Sequence, residues 1–381
     1  MQFKHIPLLT LASYVAAQAS NNTLNATLSG NPDLSNLTSF ISVSPGLLQQ
    51  LSNAQNITIL APSDKAFEEL LNSPTSEMLN EDPGLLSALL QYHILNGTYM
   101  ADQISNMSAF IPTMLMNGSY SNVTGGQVVE AVQVGNETVF YSGLLRNTTV
   151  QEADLNFNGG VIHVIDSVLT LPLSVLDTLN IADLTALRGA VNTTDSISAV
   201  NDTPDLTIFA PTNEAFQSIG SALQNLTDED LANILSYHVV NSTVGYSTDL
   251  ENGTSLQTIQ GSNVTITIDT NGTVFVNAAR VVTPNILVAN GVVHIIDNVL
   301  NPMATSGPTP SATSGAPGFT DASSVSDVPY TSDQPTPTTT MNPTEDGAGP
   351  ATSSTTGGAV PMRTAVMGMG ALFGGAAVLM I

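Results

Sequence analysis

One three-part phrase occurs twice in this chain, and no other feature limits its fold as strongly. Asn56-Ile-Thr-Ile-Leu-Ala-Pro-Ser-Asp-Lys-Ala-Phe67, Tyr92-His93 and Gly160-Val-Ile-His-Val-Ile-Asp-Ser-Val-Leu169 come first. Asp205-Leu-Thr-Ile-Phe-Ala-Pro-Thr-Asn-Glu-Ala-Phe216, Tyr237-His238 and Gly291-Val-Val-His-Ile-Ile-Asp-Asn-Val-Leu300 answer them in the same order. The chain is a tandem duplication of one domain. The copies are offset by 149 residues at the Ala-Pro phrase (Asn56 to Asp205), by 145 at Tyr-His (Tyr92 to Tyr237) and by 131 at the closing phrase (Gly160 to Gly291). The second copy is therefore shorter by a loop, mostly between Tyr-His and Gly-Val. Residues common to both copies mark what each needs, and the stretch of unequal length is where partner specificity is expected.

Length and charge narrow the functional classes. A chain of 381 residues holds two such copies plus appendages. Its 31 acidic against 6 basic residues give a net charge of −25, which repels phosphate backbones and excludes nucleic acid as a partner. Without cysteine there is no thiol catalysis, Cys-ligated zinc or disulfide, so the cores fold without covalent staples.

The ends read as addresses. Lys4 and His5 precede an apolar run from Ile6 to Ala17, and Ala17-Gln18-Ala19 is a small-x-small cleavage site, so residues 1–19 are expected to be a secretory signal peptide. Domain 1 is assigned to 20–171, domain 2 to 172–302, a Ser/Thr/Pro-rich stalk to 303–356 and a terminal membrane signal to 357–381. The stalk composition buries too little apolar surface to offset the entropy of ordering and suits O-glycosylation. Ala365 to Ile381 is an uncharged, mostly apolar tail of 17 residues. Small residues, a polar spacer and then this tail fit a glycolipid (GPI) attachment signal, with Ser354, Ser353, Gly349 or Gly347 as the attachment point. A short spanning helix is the competing reading and would suit a vacuolar or endomembrane protein acting in trafficking.

Seventeen Asn-x-Ser/Thr sequons stud the folded region: Asn21, Asn25, Asn36, Asn56, Asn96, Asn106, Asn117, Asn122, Asn136, Asn147, Asn192, Asn201, Asn225, Asn241, Asn252, Asn263 and Asn271. At this density, behind a signal peptide, a heavily glycosylated surface is expected, although asparagine is also a common turn residue.

Within each copy, Ile57–Leu60 and Leu206–Phe209 predict short strands that stop at Ala-Pro. Ser63 and Thr212 predict caps of the helix that follows, which carries Phe67 or Phe216 on its buried face. A second helix with a leucine-rich face ends at Tyr-His. It is preceded by Glu81-Asp82-Pro83 in the first copy and Thr227-Asp-Glu-Asp230 in the second, as caps and acids for its positive end. Alternating strands close the copy.

These phrases resemble the fasciclin domain, whose marks are Thr-x-Phe-Ala-Pro-Thr-Asn-x-Ala-Phe, a Tyr-His pair and Gly-x-Ile-His-x-Ile-Asp-x-Val-Leu. Copy two matches the first mark at Thr207 to Phe216, while copy one departs mildly at Leu60, Ser63 and Asp64. The resemblance covers roughly residues 21 to 302. It implies an α+β fold of two tandem fasciclin-like domains, each a β-sandwich or wedge flanked by helices and together followed by the disordered stalk. It also implies a role in extracellular adhesion or wall and matrix association. With its appendages the chain is similar to the fungal members of the family. Expected partners are cell-surface, wall or matrix proteins or glycans, a second copy among them, with the membrane reached through the C-terminal anchor.

Tyr92, His93, Tyr237 and His238 are the candidate adhesion residues, since the resemblance associates the Tyr-His region with adhesion. Their place after an apolar helix suits a second role, a buried brace bonded to backbone. His163 and His294 lie inside Val/Ile strands and read as structural. Asp166 and Asp297 follow them by three residues, on the opposite face of a strand, which argues against a His-Asp relay. No cofactor, metal site or catalytic residue is expected: two distant histidines per copy do not make a metal motif, and no Gly-x-Ser-x-Gly elbow or phosphate loop is present. A wall-modifying enzyme would rest on compartment alone. Arg188-Gly189-Ala190 stops one residue short of Arg-Gly-Asp, so adhesion is expected through a surface.

Overall fold

The computed structural model describes residues 23–42, 45–304, 307 and 314–336. The expected signal peptide, Asn21, Ser354, Ser353, Gly349, Gly347 and the apolar tail lie outside them.

In the first domain the strands are β1 (Ile57–Pro62), β2 (Ile94–Asn96), β3 (Ala109–Pro112), β4 (Val128–Val134), β5 (Glu137–Tyr141), β6 (Asn147–Phe157) and β7 (Gly160–Ile165). The second domain repeats them as β8 (Leu206–Pro211), β9 (Val239–Val240), β10 (Ser255–Gln257), β11 (Asn263–Ile268), β12 (Val274–Val276), β13 (Ala279–Val288) and β14 (Gly291–Ile296). Each makes one seven-stranded sheet, ordered β2-β1-β7-β6-β5-β4-β3 and β9-β8-β14-β13-β12-β11-β10. The strands of the duplicated phrases thus lie side by side, second and third from one edge of each sheet, where β1 runs parallel to β7 and β8 to β14. All other neighbours are antiparallel. Isolated bridges Leu95↔Thr113 and Val240↔Thr258 bring the outermost strands together, so each sheet curls into a wedge.

All six residues of β1 and all six of β8 are buried, because both faces are covered. On one face of the first sheet, Ile57, Ile59 and Ile162 pack under helices Leu24–Gly30, Ser35–Ser42 and Asp64–Leu71. On the other, Leu60, Tyr92, Phe140 and Ile165 fill the inside of the wedge. The expected caps are present. Ser63 Oγ accepts from Ala66 N at 3.3 Å and Thr212 Oγ1 from Ala215 N at 3.1 Å. Asp82 caps helix Pro83–Tyr92, and Thr227 forms a capping box with Asp230 at helix Asp228–Ser236.

The length difference between the copies has a structural cause. The β3–β4 connection, residues 113–127, has 15 residues where the β10–β11 connection, residues 258–262, has 5. The longer loop reaches the second domain. Asn122 N donates to Ala289 O at 2.6 Å, and Thr124 donates from its backbone N and its hydroxyl to the Asp205 carboxylate at 2.7 and 2.6 Å. Buried Gln127 donates from Nε2 to Val288 O at 3.1 Å, and beside it the Phe110 and Tyr246 rings stack with centroids 4.3 Å apart. The unequal stretch therefore joins one domain to the other.

The expected disordered stalk needs correction over residues 314–336, which lie against the second domain. Val325 N donates to Gln217 O at 3.1 Å, and Phe319, Val328 and Tyr330 pack partly buried on the domain's core. These apolar side chains supply the burial that the Pro/Ser/Thr composition lacks.

Candidate functional site

The Tyr-His phrase sits where the helix ending at residue 92 or 236 turns into the edge strand β2 or β9. His93 is 4% exposed. Its Nε2 accepts from Leu169 N–H at 2.9 Å, which puts the proton on Nδ1, and Nδ1 donates to Leu89 O at 2.7 Å. His238 repeats this with Leu300 N–H at 2.8 Å and Ile234 O at 2.8 Å. Each ring bolts the end of a helix to the chain just beyond β7 or β14. Burial pushes both imidazoles down to about 4, against the upward pull of the helix carbonyl, so both are neutral at physiological pH. The adjoining tyrosines are buried too. Tyr92 donates to Val128 O at 2.8 Å; Tyr237 donates to Asn263 O at 2.9 Å and accepts from Asn277 Nδ2 at 2.9 Å. Tyr92, His93, Tyr237 and His238, the expected adhesion residues, are thus buried, and their side chains satisfy backbone groups inside the fold.

His163 and His294 do a different job with the opposite tautomer. Strands β6 and β13 are interrupted by bulges at which Asp154 and Asn285 take positive φ (63° and 64°). A bulge strands a backbone N–H. His163 Nδ1 accepts that of Asp154 at 3.2 Å, and His294 Nδ1 that of Asn285 at 3.3 Å. The Nε2–H groups donate to Tyr99 O and Gly245 O, both at 2.8 Å. Asp166 and Asp297 accept from the backbone N–H groups of Thr149 and Arg280, at 2.9 and 2.8 Å, away from the rings. Among the described residues no three His, Asp or Glu side chains are placed to hold a metal ion.

What the chain offers a partner is its surface. Of the sixteen described sequon asparagines, fourteen are exposed; Asn36 and Asn201 are half-buried. The stretch between Asn56 and Asn96 carries no sequon, and it holds the helices Asp64–Leu71, Thr75–Glu81 and Pro83–Tyr92. Two large apolar side chains stand out there, Leu71 at 53% exposure and Met78 at 56%. An apolar cleft, partly open to solvent, runs between Leu71 and β1, past Phe67, Leu79 and Leu86, with His93 in its lining. The second domain has a smaller counterpart with His238 in its lining.

The sequence reading missed several of these features. The cleft leaves no motif, since its lining is ordinary core leucine and isoleucine. Glu130 also went unnoticed: it is 1% exposed on β4, with Ser108 Oγ donating to Oε1 at 2.5 Å, and Oε2 has no hydrogen-bond partner. Burial raises its carboxyl to about 7. A lone glutamate in an alternating Val-Val-Glu-Ala-Val-Gln-Val strand was the available signal.

Both copies match a known family in sequence. A family model described as "Fasciclin domain" matches residues 32–172 and again 182–302. A "Fasciclin-like arabinogalactan protein" of Arthroderma benhamiae is 36% identical over 317 residues, covering 82% of this chain and 75% of its own length. "Fasciclin-like arabinogalactan protein CTB11" of Cercospora beticola is 29% identical over 305 residues, covering 78% of this chain and 81% of its own length. Among solved structures, a FAS1 domain pair from the insect cell adhesion molecule Fasciclin I aligns at 21% identity and TM-score 0.34, over 70% of this chain and 96% of that one.

Proposed function

The chain belongs to the fasciclin family, and from that premise we propose that it is a secreted, membrane-anchored glycoprotein that binds wall or matrix macromolecules. Membership makes it a non-enzymatic protein of the adhesion type. The observation that carries this reading is that both copies match the family model, within an alignment spanning three quarters of a fungal relative. The buried, neutral histidines support it, since every ring nitrogen is committed to a backbone group.

The contact surface we assign is the helical face of the first domain around Leu71 and Met78, in a stretch of sequence that holds no sequon between Asn56 and Asn96. Exposed apolar side chains beside an apolar cleft favour a macromolecular partner. Glycans at the exposed sequons elsewhere would leave this face open. Secretion, the GPI anchor at Ser354 or its neighbours, and sequon occupancy belong to the same proposal. Release of the protein from membranes by a GPI-specific phospholipase is the expected outcome; retention after complete digestion would instead support a spanning tail.

A further inference from the structure

The two copies differ at two positions on one helical face, and residues 314–336 touch both. Matching contacts align the helices: Ser35 and Asn36 N contact Asp64 in the first copy, as Thr185 and Ala186 N contact Asn213 in the second. Ser39-Phe40 thereby corresponds to Gly189-Ala190, and Leu71 to Gly220. In the first copy Phe40 stacks on Phe67, centroids 5.4 Å apart. In the second, alanine leaves that slot empty beside Phe216. Tyr330 fills it edge-on at 6.4 Å and 83°, its carbonyl passing so close over Gly189 that a Cβ there would lie 1.8 Å from the oxygen. Val325 takes the place of Leu71: a Cβ on Gly220 would lie 2.1 Å from its Cγ2.

Hydrogen bonds fix the register along the segment. Gly315 N donates to Asp297 Oδ2 at 2.7 Å, and Ala316 N to Ala278 O at 2.9 Å. Ser221 N donates to Ser323 O at 3.1 Å, while Ser323 N donates to Ser221 Oγ at 2.7 Å. Arg188 Nη1 donates to Gln334 Oε1 at 2.6 Å. Backbone, glycine and aromatic contacts thus agree on one seating.

We propose that this face of the second domain is a docking surface for a peptide bearing valine and tyrosine five residues apart, and that residues 314–336 occupy it in cis. The segment completes a domain that lacks equivalents of Phe40 and Leu71. Load from a C-terminal anchor therefore enters the second domain through this strap. The test is amide hydrogen exchange on the full chain, comparing wild type, Gly220→Leu and Tyr330→Ala. In wild type, Ser323 and Val325 amides are expected to exchange at least tenfold more slowly than in a synthetic peptide of residues 314–336. Gly220→Leu restores the first copy's side chain and should bring them to peptide rates while β8 and β14 stay protected. If Gly220→Leu instead unfolds the domain, Tyr330→Ala, which alters only the strap, should still release the same amides. Peptide-like exchange in wild type would overturn the proposal, as would unchanged protection of these amides in Tyr330→Ala.

Discussion

Four of the chain's histidines are structural fasteners, and their chemistry can be measured as pH dependence. His93, His238 and His294 have an ordinary value of 6.5, and burial takes them to about 4. The folded state binds their protons less readily than the unfolded chain does. Their contribution, roughly 3 kcal/mol per ring, is therefore present above pH 6.5 and lost as pH falls through 4. Glu130 runs the other way: raised from 4.5 to about 7, it contributes below pH 4.5 and loses that contribution as pH rises through 7. Denaturant titrations should show stability falling between pH 6.5 and 4, and Glu130→Gln should be more stable than wild type at pH 8 but not at pH 4.5. Equal behaviour of the two proteins at both pH values would contradict the assignment. Replacing His238 with alanine strands Leu300 N–H and frees a helix-end carbonyl, a loss of about 2–4 kcal/mol. The same loss in His93→Ala would confirm that the copies share the device.

At the scale of elements, the β3–β4 loop helps to join the two copies, beside the Phe110–Tyr246 stack and Leu144 and Leu145 packed into the second domain's core. Trimming residues 113–127 to the five-residue length of the β10–β11 connection should leave both domains folded by circular dichroism. It should also broaden their relative orientation in small-angle X-ray scattering; an unchanged scattering profile would show that the loop does not hold them. Much of this level was legible. Ala-Pro ended β1 and β8, and Ser63, Thr212, Asp82 and Thr227 cap as their residue types require. The helices before the first strand of each copy were not read, because Leu24, Leu28, Leu34, Leu37 and Ile41 recur at helical spacing among sequons and turn residues without a duplicated motif. The bulges at Asp154 and Asn285 were hidden because nothing local announces a positive φ within an alternating strand. The unequal stretch was seen as functional, yet its partner is the neighbouring domain, and only tertiary contacts reveal that. The Tyr-His pair drew attention as recurring polar residues, but recurrence there reflects unsatisfied backbone that every copy must pair.

The whole molecule is a strongly acidic, sequon-studded domain pair whose recurrent polar residues face inward and whose first domain leaves Leu71 and Met78 outward. The first domain, which carries Leu71 and Met78, is the one farther along the chain from the proposed C-terminal anchor. The most direct measurement is retention of beads coated with glycosylated protein on cell walls, matrix proteins and a second bead population, comparing wild type with a Leu71→Asp/Met78→Asp double variant. The account predicts retention by at least one of these surfaces and a several-fold loss in the double variant, with thermal stability unchanged because both side chains are exposed. Retention equal in wild type and the variant would contradict the assigned face, and no retention of wild type on any surface would contradict the adhesive function itself.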